Sequence, residues 1–158
     1  MISLKISIFL AMALWMGGCA NVANYQPGEH IPTDGTIAVL PFKNHTDSPM
    51  AGEKAKNILE SILVSEGKPV RIVTRKCDPD HLRKCLSKIR SRYYVRGNVN
   101  EWRYKTGLDA EPAVAVGFNI VDRTNGRVVY TAVGAKSGWG QESVGSVAQK
   151  LLLELTQR

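Results

Sequence analysis

The sequence predicts an α/β fold, with helices packed on a mixed sheet, in the order β-α-β-α-β-β-β-α. Apolar, β-branched runs that favour strands alternate with segments in which apolar residues recur every three or four positions, as on one face of a helix. Near the end, the Asn125-Gly126 pair between two such runs is typical of a β-hairpin. The 158 residues, of which 44% are hydrophobic, suffice for one core, and the sequence shows no repeat or second domain.

Strands and helices are predicted to alternate in the first half of the fold. Thr36–Phe42 is an unbroken apolar run, which predicts a strand buried on both faces. A polar loop follows, and then a helix that ends at Gly67 and whose apolar stripe consists of Ala51, Ala55, Ile58, Leu59, Ile62 and Leu63. The run Val70–Thr74 predicts a second strand. The next helix is indicated by Leu82, Cys85, Leu86 and Ile89.

Three strands and a helix are predicted to complete the fold. The strands are Tyr93–Lys105, Ala113–Asp122 and Val128–Lys136. Both residues of Asn125-Gly126 tolerate a positive φ, which predicts a type I′ turn between the last two strands. The closing amphipathic helix carries the apolar residues Val144, Val147, Ala148, Leu151, Leu152 and Leu155.

The N-terminus is predicted to be an export signal. Met1–Lys5 carries one positive charge, and the apolar run Ile6–Trp15 is shorter than the roughly 20 residues that span a bilayer. The run leads into Met16-Gly17-Gly18-Cys19, which resembles a bacterial lipobox, where small residues precede the cysteine that receives the lipid. A short membrane anchor and a chance cysteine are the alternatives.

Cleavage before Cys19 divides the chain into three parts. We expect residues 1–18 to be a lipoprotein signal peptide, residues 19–35 to be the lipidated cysteine with a short tether, and residues 36–158 to be a single α/β domain. Acyl chains on Cys19 would anchor the protein firmly, since each buried methylene contributes about 0.8 kcal/mol. Ala20, where retained lipoproteins carry Asp, predicts the periplasmic face of the outer membrane.

Cys77 and Cys85 would then lie in an oxidising compartment, where disulfides persist. If a helix opens at Pro79, the two Cα atoms stand about 10 Å apart, which is too far for a disulfide. A later helix with Asp80 as its cap would allow a bridge. A disulfide and a buried Cys85 thiol therefore both stay open, whereas no cluster of His and Cys supports a metal site.

The sequence contains no recognisable catalytic constellation. His30, His45 and His81 have neither a paired acid nor a nucleophile beside them, and no glycine-rich phosphate-binding motif joins a strand to a helix. A glycan-cleaving enzyme with Asp109 and Glu111 as its carboxylates is an alternative, although such a pair is more often a solvated hairpin tip. We therefore expect a protein that is not an enzyme and that needs no cofactor.

The net charge of +7 is unevenly distributed. Residues 68–105 carry 12 basic and 3 acidic residues, so the rest of the chain has a net charge of −2. A basic surface near a membrane can meet anionic head groups or the acidic face of a partner. Nucleic acid is not an expected partner, because the chain is predicted to be exported.

Trp139 stands out because a glycine lies on each side of it. In such a loop the indole can project into a membrane interface or a protein pocket, or fold back over the core. Trp102 alternates with Tyr104 on one strand face, and we interpret Trp102 as a packing residue and not as a functional one.

Several segments carry a resemblance to a known family. Besides the lipobox they are IAVLPF, YYVRGNV, NEWRYKTGLDAEPAV and KSGWGQES, and the resemblance that they carry covers nearly the whole mature chain. On these segments the chain resembles the PelC family, the outer-membrane lipoproteins of Pel exopolysaccharide export. The order of strands and helices is also similar to that of the TolB N-terminal domain.

The resemblance implies a homo-oligomeric ring, a dodecamer, beneath the outer membrane. It implies that Trp139 belongs to an aromatic belt in the lipid and that Asp109 lines an acidic funnel, to which Glu111 is added by proximity. Such a funnel would guide a cationic exopolysaccharide to the β-barrel exporter PelB. Our hypothesis is that the basic face of residues 83–92 turns outward or toward lipid phosphates, while Asp109 lines the lumen.

Two other envelope roles are considered. TolB-like activators of peptidoglycan synthases reach their partners on long linkers, whereas the predicted tether is short. A secretion pore like CsgG needs strands that alternate between lipid and lumen over about 10 positions, but Ala113–Phe118 is apolar on both faces.

Overall fold

A six-stranded mixed sheet forms the centre of the molecule. The computed structural model describes residues 22–25, 30–73, 77–104 and 111–157. The strands are β1 Val22–Tyr25, β2 Ile37–Val39, β3 Lys43–Asn44, β4 Tyr93–Arg103, β5 Ala113–Asp122 and β6 Val128–Ser137. The helices are α1 Ala51–Ser65, α2 Leu82–Leu86 and α3 Val144–Thr156, and a 3-10 turn at Pro79–His81 precedes α2.

Strand β4 holds the two halves of the sheet together. On one side it pairs in parallel with β2 and β3, with Ile37 opposite Tyr93 and Lys43 opposite Asn98. On its other side β4 pairs antiparallel with β5, which pairs with β6, and β1 pairs antiparallel with the far side of β6. The sheet order is therefore β1-β6-β5-β4-β2, with β3 beside β4. The mixed α/β fold class is confirmed.

The main core lies between one face of the sheet and helices α1 and α3. The apolar stripes of both helices face the sheet, as their spacing predicts. Leu59 of α1 and Leu151 of α3 are buried against strand residues such as Val95 and Val116. Because the core is close-packed, the strands cannot shift against the helices without opening a cavity. The packing therefore holds the ends of the strands in place, and the candidate site described below lies at one of these ends.

Helix α2 covers part of the opposite face of the sheet. It closes a smaller buried cluster that consists of Ala38, Leu40, Cys85, Ile89, Tyr94 and Val121. Most of these sheet residues lie near the start of β4 and the end of β5, because Tyr94 pairs with Val121. Helix α2 and the segment after it therefore belong to that end of the sheet.

Two strand predictions need correction at the sheet edge. Of the predicted strand Thr36–Phe42, only Ile37–Val39 pairs with β4 as a strand, and the chain resumes pairing at β3 beyond Pro41, which has no N–H to donate. The predicted strand Val70–Thr74 is wrong. Val70 forms a single bridge to Ile37, Ile72 is exposed, and Thr74 lies outside the described residues.

The hairpin and the second helix also differ from the predictions. The type I′ turn is wrong because Gly126 has a φ of 74° whereas Asn125 does not have a positive φ. A longer loop closes there instead, with the Gly126 N–H donating to the Asp122 carbonyl.

Helix α2 ends at Leu86, so Ile89 is buried in the loop that follows it. Periodicity alone does not separate a helix from an apolar loop that packs on the same surface.

Part of the predicted tether belongs to the fold. Residues Val22–Tyr25 form β1, and Ile31 is buried in the main core. Asp34 accepts hydrogen bonds from Arg92 at 2.7 Å and from the Tyr93 hydroxyl at 2.8 Å. These bonds lower the pKa of Asp34, with the Tyr93 hydroxyl as the largest cause. Apolar residues have no regular spacing in this segment, so its sequence does not predict a strand. Its structure depends instead on its contacts with β6 and with the start of β4.

Candidate functional site

Trp139 and Glu111 flank the same end of the sheet. Arg103 of β4 pairs with Ala113 of β5, which pairs with Ser137 of β6. The Gly138 N–H then donates to the Pro112 carbonyl at 2.8 Å, one step beyond the last pair. We call this end of the sheet the Trp139 end. It brings together the end of β4, the start of β5 and the end of β6.

The two glycines beside Trp139 have different structural roles. At Gly138 a Cβ atom would lie 2.5 Å from Val147 Cγ2 of α3 and 2.9 Å from Pro112 Cγ, so the backbone lies too close to its neighbours for a side chain. Gly140 has a φ of 57° and open space around it, and this left-handed conformation favours glycine. The loop is therefore pressed onto α3 on one side of Trp139 and turns sharply on the other.

Glu142 fixes the backbone of the Trp139 loop. Its Oε2 accepts the Trp139 N–H at 3.1 Å, and the Glu142 N–H donates to the Trp139 carbonyl at 3.1 Å. Lys150 of α3 donates to the other carboxylate oxygen. The Lys150 hydrogen bond, followed by the Trp139 N–H, holds the pKa of Glu142 below its ordinary value. Ser143 then caps α3 by accepting the Ser146 N–H.

The braced loop presents the Trp139 side chain to solvent. Its exposed fraction is 68%, so the alternative in which the indole folds back over the core does not fit the structure. An indole held on a fixed backbone buries a large apolar area at little cost in conformational entropy. The arrangement suits contact with a lipid interface or with a pocket of another protein.

Tyr104 is a second exposed aromatic residue at the Trp139 end. It directly follows β4, and its side chain is 53% exposed, with the Lys54 ammonium 6.0 Å from the ring centroid. The packing interpretation of Trp102 agrees with its exposed fraction of 4%, whereas Tyr104, two residues further on, lies outside the core. The polar residues that follow Tyr104 in the sequence were the signal that the buried strand ends there.

The predicted carboxylates are only partly described. Asp109 lies outside the described residues. Glu111 is half-buried directly before β5, and no ion pair joins it to another residue of the described ranges. Glu101 on β4 pairs with Arg103 at 3.1 Å.

Within residues 22–25, 30–73, 77–104 and 111–157, no three His, Cys, Asp or Glu side chains are grouped as metal ligands.

Cys77 and Cys85 form a disulfide in the structure, with their Cα atoms 5.2 Å apart. A helical turn does open at Pro79, but it is a 3-10 turn and not the start of the α-helix, and Asp80 does not cap the α-helix. Asp78 caps the 3-10 turn by accepting the Asp80 N–H at 3.0 Å, and the α-helix starts only at Leu82. The turn folds Cys77 back toward α2, so the two Cα atoms lie within the usual range for a disulfide.

Asp78 is stabilised in its charged form at this turn. His81 Nδ1 lies 2.8 Å from the Asp78 carboxylate. This contact is the largest cause of the lowered pKa of Asp78, followed by the Asp80 N–H. The turn that positions Cys77 is therefore held by its own side chains.

The predicted lipid anchor cannot be placed, because Cys19 lies outside the described residues. In the part of the chain that the structure does describe, no helix is long and apolar enough to cross a bilayer.

The comparisons with known proteins relate the chain to one family. The PelC dodecamer from Paraburkholderia phytofirmans is 35% identical and superposes with a TM-score of 0.72, covering 86% of this chain and 95% of that one. A single-substitution variant of that protein gives 34% identity, the same coverage and a TM-score of 0.74. A protein from Xanthomonas campestris shares the fold alone, at 11% identity, a TM-score of 0.50 and 87% coverage of both chains. No protein-family model and no curated protein matches the chain.

Proposed function

Because the chain belongs to the PelC family, we propose that it is a non-enzymatic lipoprotein that forms a ring beneath the outer membrane. The ring would guide a cationic, Pel-like exopolysaccharide to an outer-membrane β-barrel exporter of the PelB type. The observation that carries this proposal is the 35% identity to a PelC that forms a dodecamer, across 95% of that protein.

We propose two anchors that act together at the membrane. Acyl chains on Cys19 would insert into the inner leaflet of the outer membrane, and Trp139 would enter the lipid interface. The exposed indole on a loop braced by Glu142 supports this role, since tryptophan favours the boundary between head groups and acyl chains. One Trp139 per subunit, repeated around a ring, would make the anchor multivalent.

Asp109 and Glu111 are proposed to guide the polymer. Protonated amines on an amino-sugar polymer would be attracted to carboxylates repeated around the ring. A Debye length of about 8 Å at physiological salt keeps each contact short-ranged and brief, so the polymer can move on. Glu111 lies at the Trp139 end, which supports a position close to where the polymer would leave the ring for the exporter.

The ring is tested by the native mass of the lipoprotein after extraction in mild detergent. We expect a closed oligomer about 12 times the subunit mass, as implied by the dodecameric relative. A Cys19→Ser form without its signal peptide serves as the control, because it separates self-assembly from shared micelles. A monomer in both preparations would contradict the ring.

A further inference from the structure

A basic pocket lies on the surface between the segment after α1 and the segment after α2. It has a volume of about 490 Å³. The residues that line it include three cations, an exposed isoleucine and a hydroxyl group; they are Arg71, Lys88, Arg90, Ile72 and Ser87. We refer to this site as the basic pocket.

The three cations of the basic pocket are not neutralised by the described part of the chain. Among the ion pairs of residues 22–25, 30–73, 77–104 and 111–157, none involves Arg71, Lys88 or Arg90. The neighbouring Arg92, by contrast, pairs with Asp34 at 2.7 Å. Like charges gathered without partners repel one another, and an anionic ligand would relieve that repulsion.

The basic pocket and Trp139 lie at opposite ends of the sheet. Arg71 donates its N–H to the carbonyl of Ile37, which pairs with Tyr93 at the start of β4. The Trp139 end lies at Arg103, at the other end of the same strand. With a rise of about 3.3 Å per residue, the two sites are separated by roughly 30 Å. If Trp139 meets the outer membrane, as the proposed function has it, the basic pocket faces away from that membrane.

Because the two sites lie so far apart, lipid phosphates are no longer the partner that we expect for the basic face of residues 83–92. A lipid head group at the pocket would require the end of the molecule opposite Trp139 to reach the same membrane surface. The alternative is a soluble anion, and the pocket is not purely polar. Ile72 is 65% exposed beside the cations, which suits a polypeptide that presents an apolar side chain among its carboxylates.

We propose that the basic pocket binds an acidic segment of a partner protein in the periplasm. Carboxylates of the segment would pair with Arg71, Lys88 and Arg90, and an apolar side chain of the segment would cover Ile72. The pocket is held in shape from beneath, because Ile89 is buried in the same cluster as Cys85. The choice of a protein over a lipid rests on the proposed function, since it uses Trp139 as the membrane side.

Binding of an acidic peptide to the detergent-extracted lipoprotein tests the proposal. The probe is a fluorescein-labelled peptide that alternates paired glutamates with single leucines, and the control peptide has glutamine in place of glutamate. We expect the acidic peptide alone to bind, and the Lys88→Gln/Arg90→Gln variant to lose about tenfold in affinity. The Ile72→Ser variant should also bind more weakly, because the apolar contact is lost.

A matched variant separates the pocket from general electrostatics. Lys54→Gln/Arg127→Gln removes the same two residue types at exposed or half-exposed positions outside the pocket, and we expect its affinity to change by no more than about twofold. An equal loss in both variants, or equal binding of the glutamine peptide, would overturn the proposal. Thermal unfolding of each variant verifies that the fold is intact.

Two further measurements identify other occupants of the pocket. Loss of binding to phosphatidylglycerol vesicles in Lys88→Gln/Arg90→Gln, with peptide binding unchanged, would assign the pocket to lipid. Dissociation of the oligomer in that variant would assign it to a contact between subunits; either result overturns the proposal. A monomer that still binds the acidic peptide would contradict the proposed ring and leave the pocket standing.

Discussion

At the scale of single residues, the Trp139 loop shows how small side chains create a site for a large one. Gly138 lets the backbone lie against Val147 and Pro112, and Gly140 reverses the chain with a positive φ. Glu142 binds the backbone on both sides of the indole. The aromatic side chain therefore projects from a fixed point, which lowers the entropy that it would lose on entering a membrane or a pocket.

Replacing Trp139 tests its proposed membrane contact. In a Cys19→Ser form, Trp139→Ala should weaken binding to phosphatidylethanolamine and phosphatidylglycerol vesicles by roughly tenfold, because burying a large apolar side chain contributes about 1.5–3 kcal/mol. Vesicle sedimentation measures the bound fraction. Val128→Ala is the control, since Val128 is an exposed apolar residue at the start of β6, opposite the Trp139 end. Unchanged partitioning of Trp139→Ala would rule out the belt role.

At the scale of elements, the Trp139 loop and α3 form one unit. Lys150 lies two turns into α3 and reaches back to Glu142, while Ser143 caps the first turn of the same helix. Val147 of α3 also packs against the backbone at Gly138. The loop conformation therefore depends on α3 being docked on the sheet, so the presentation of Trp139 is coupled to the main core.

This coupling predicts a pH dependence of stability. The pKa of Glu142 in the folded state is lowered by Lys150 and by the Trp139 N–H, so its contribution is present above the ordinary pKa of 4.5. That contribution is lost as the pH falls through the folded-state pKa. The difference in Tm between the natural protein and Glu142→Gln should therefore be largest near neutral pH and shrink below 4.5.

Glu154→Gln provides the matched control for this pH series. Glu154 pairs with Lys136, but no backbone N–H in the described part of the chain donates to it. We expect a smaller change in Tm across the same pH range, measured by circular dichroism. Equal pH profiles of the two variants would show that Glu142 does not brace the loop in the charged form.

At the scale of the whole molecule, the basic pocket and the Glu111 carboxylate lie at opposite ends of the sheet. The chain has a net charge of +7, and the basic pocket lies about 30 Å from the Trp139 end by the length of β4. Glu111 lies at the opposite end from the pocket, at the start of β5. A cationic polymer and a cationic protein are therefore compatible if the polymer meets only the Trp139 end.

The guidance role predicts a loss of export without a loss of protein. Asp109→Asn combined with Glu111→Gln should lower the amount of surface polymer severalfold, while lipoprotein abundance and oligomer mass stay the same, because only the attraction for protonated amines is removed. Polymer is measured by lectin staining of cells. Asp47→Asn is the control, since Asp47 is an exposed carboxylate in the loop after β3. Normal export in the double variant would contradict the funnel role.

Much of the fold follows from periodicity in the sequence. Helices α1 and α3 and strands β4, β5 and β6 lie within a few residues of their predicted bounds, because a long element with one buried face imposes its period on the apolar residues. The family also follows from the sequence, since the motifs that resemble PelC are the segments that build the central sheet and the Trp139 loop. Short elements such as β1 and β3 carry no such period.

The α/β class, the family and the prominence of Trp139 can be inferred without a structure, because they depend on residue types and on spacing along the chain. Which residues lie at the same end of the sheet is known only from the folded chain. Tyr104 and Glu111 join Trp139 through the pairing register of β4, β5 and β6, and Arg71 meets Lys88 at the opposite end because the segment after α2 packs on the sheet there. Register depends on partners distant in the sequence, and local periodicity does not encode it.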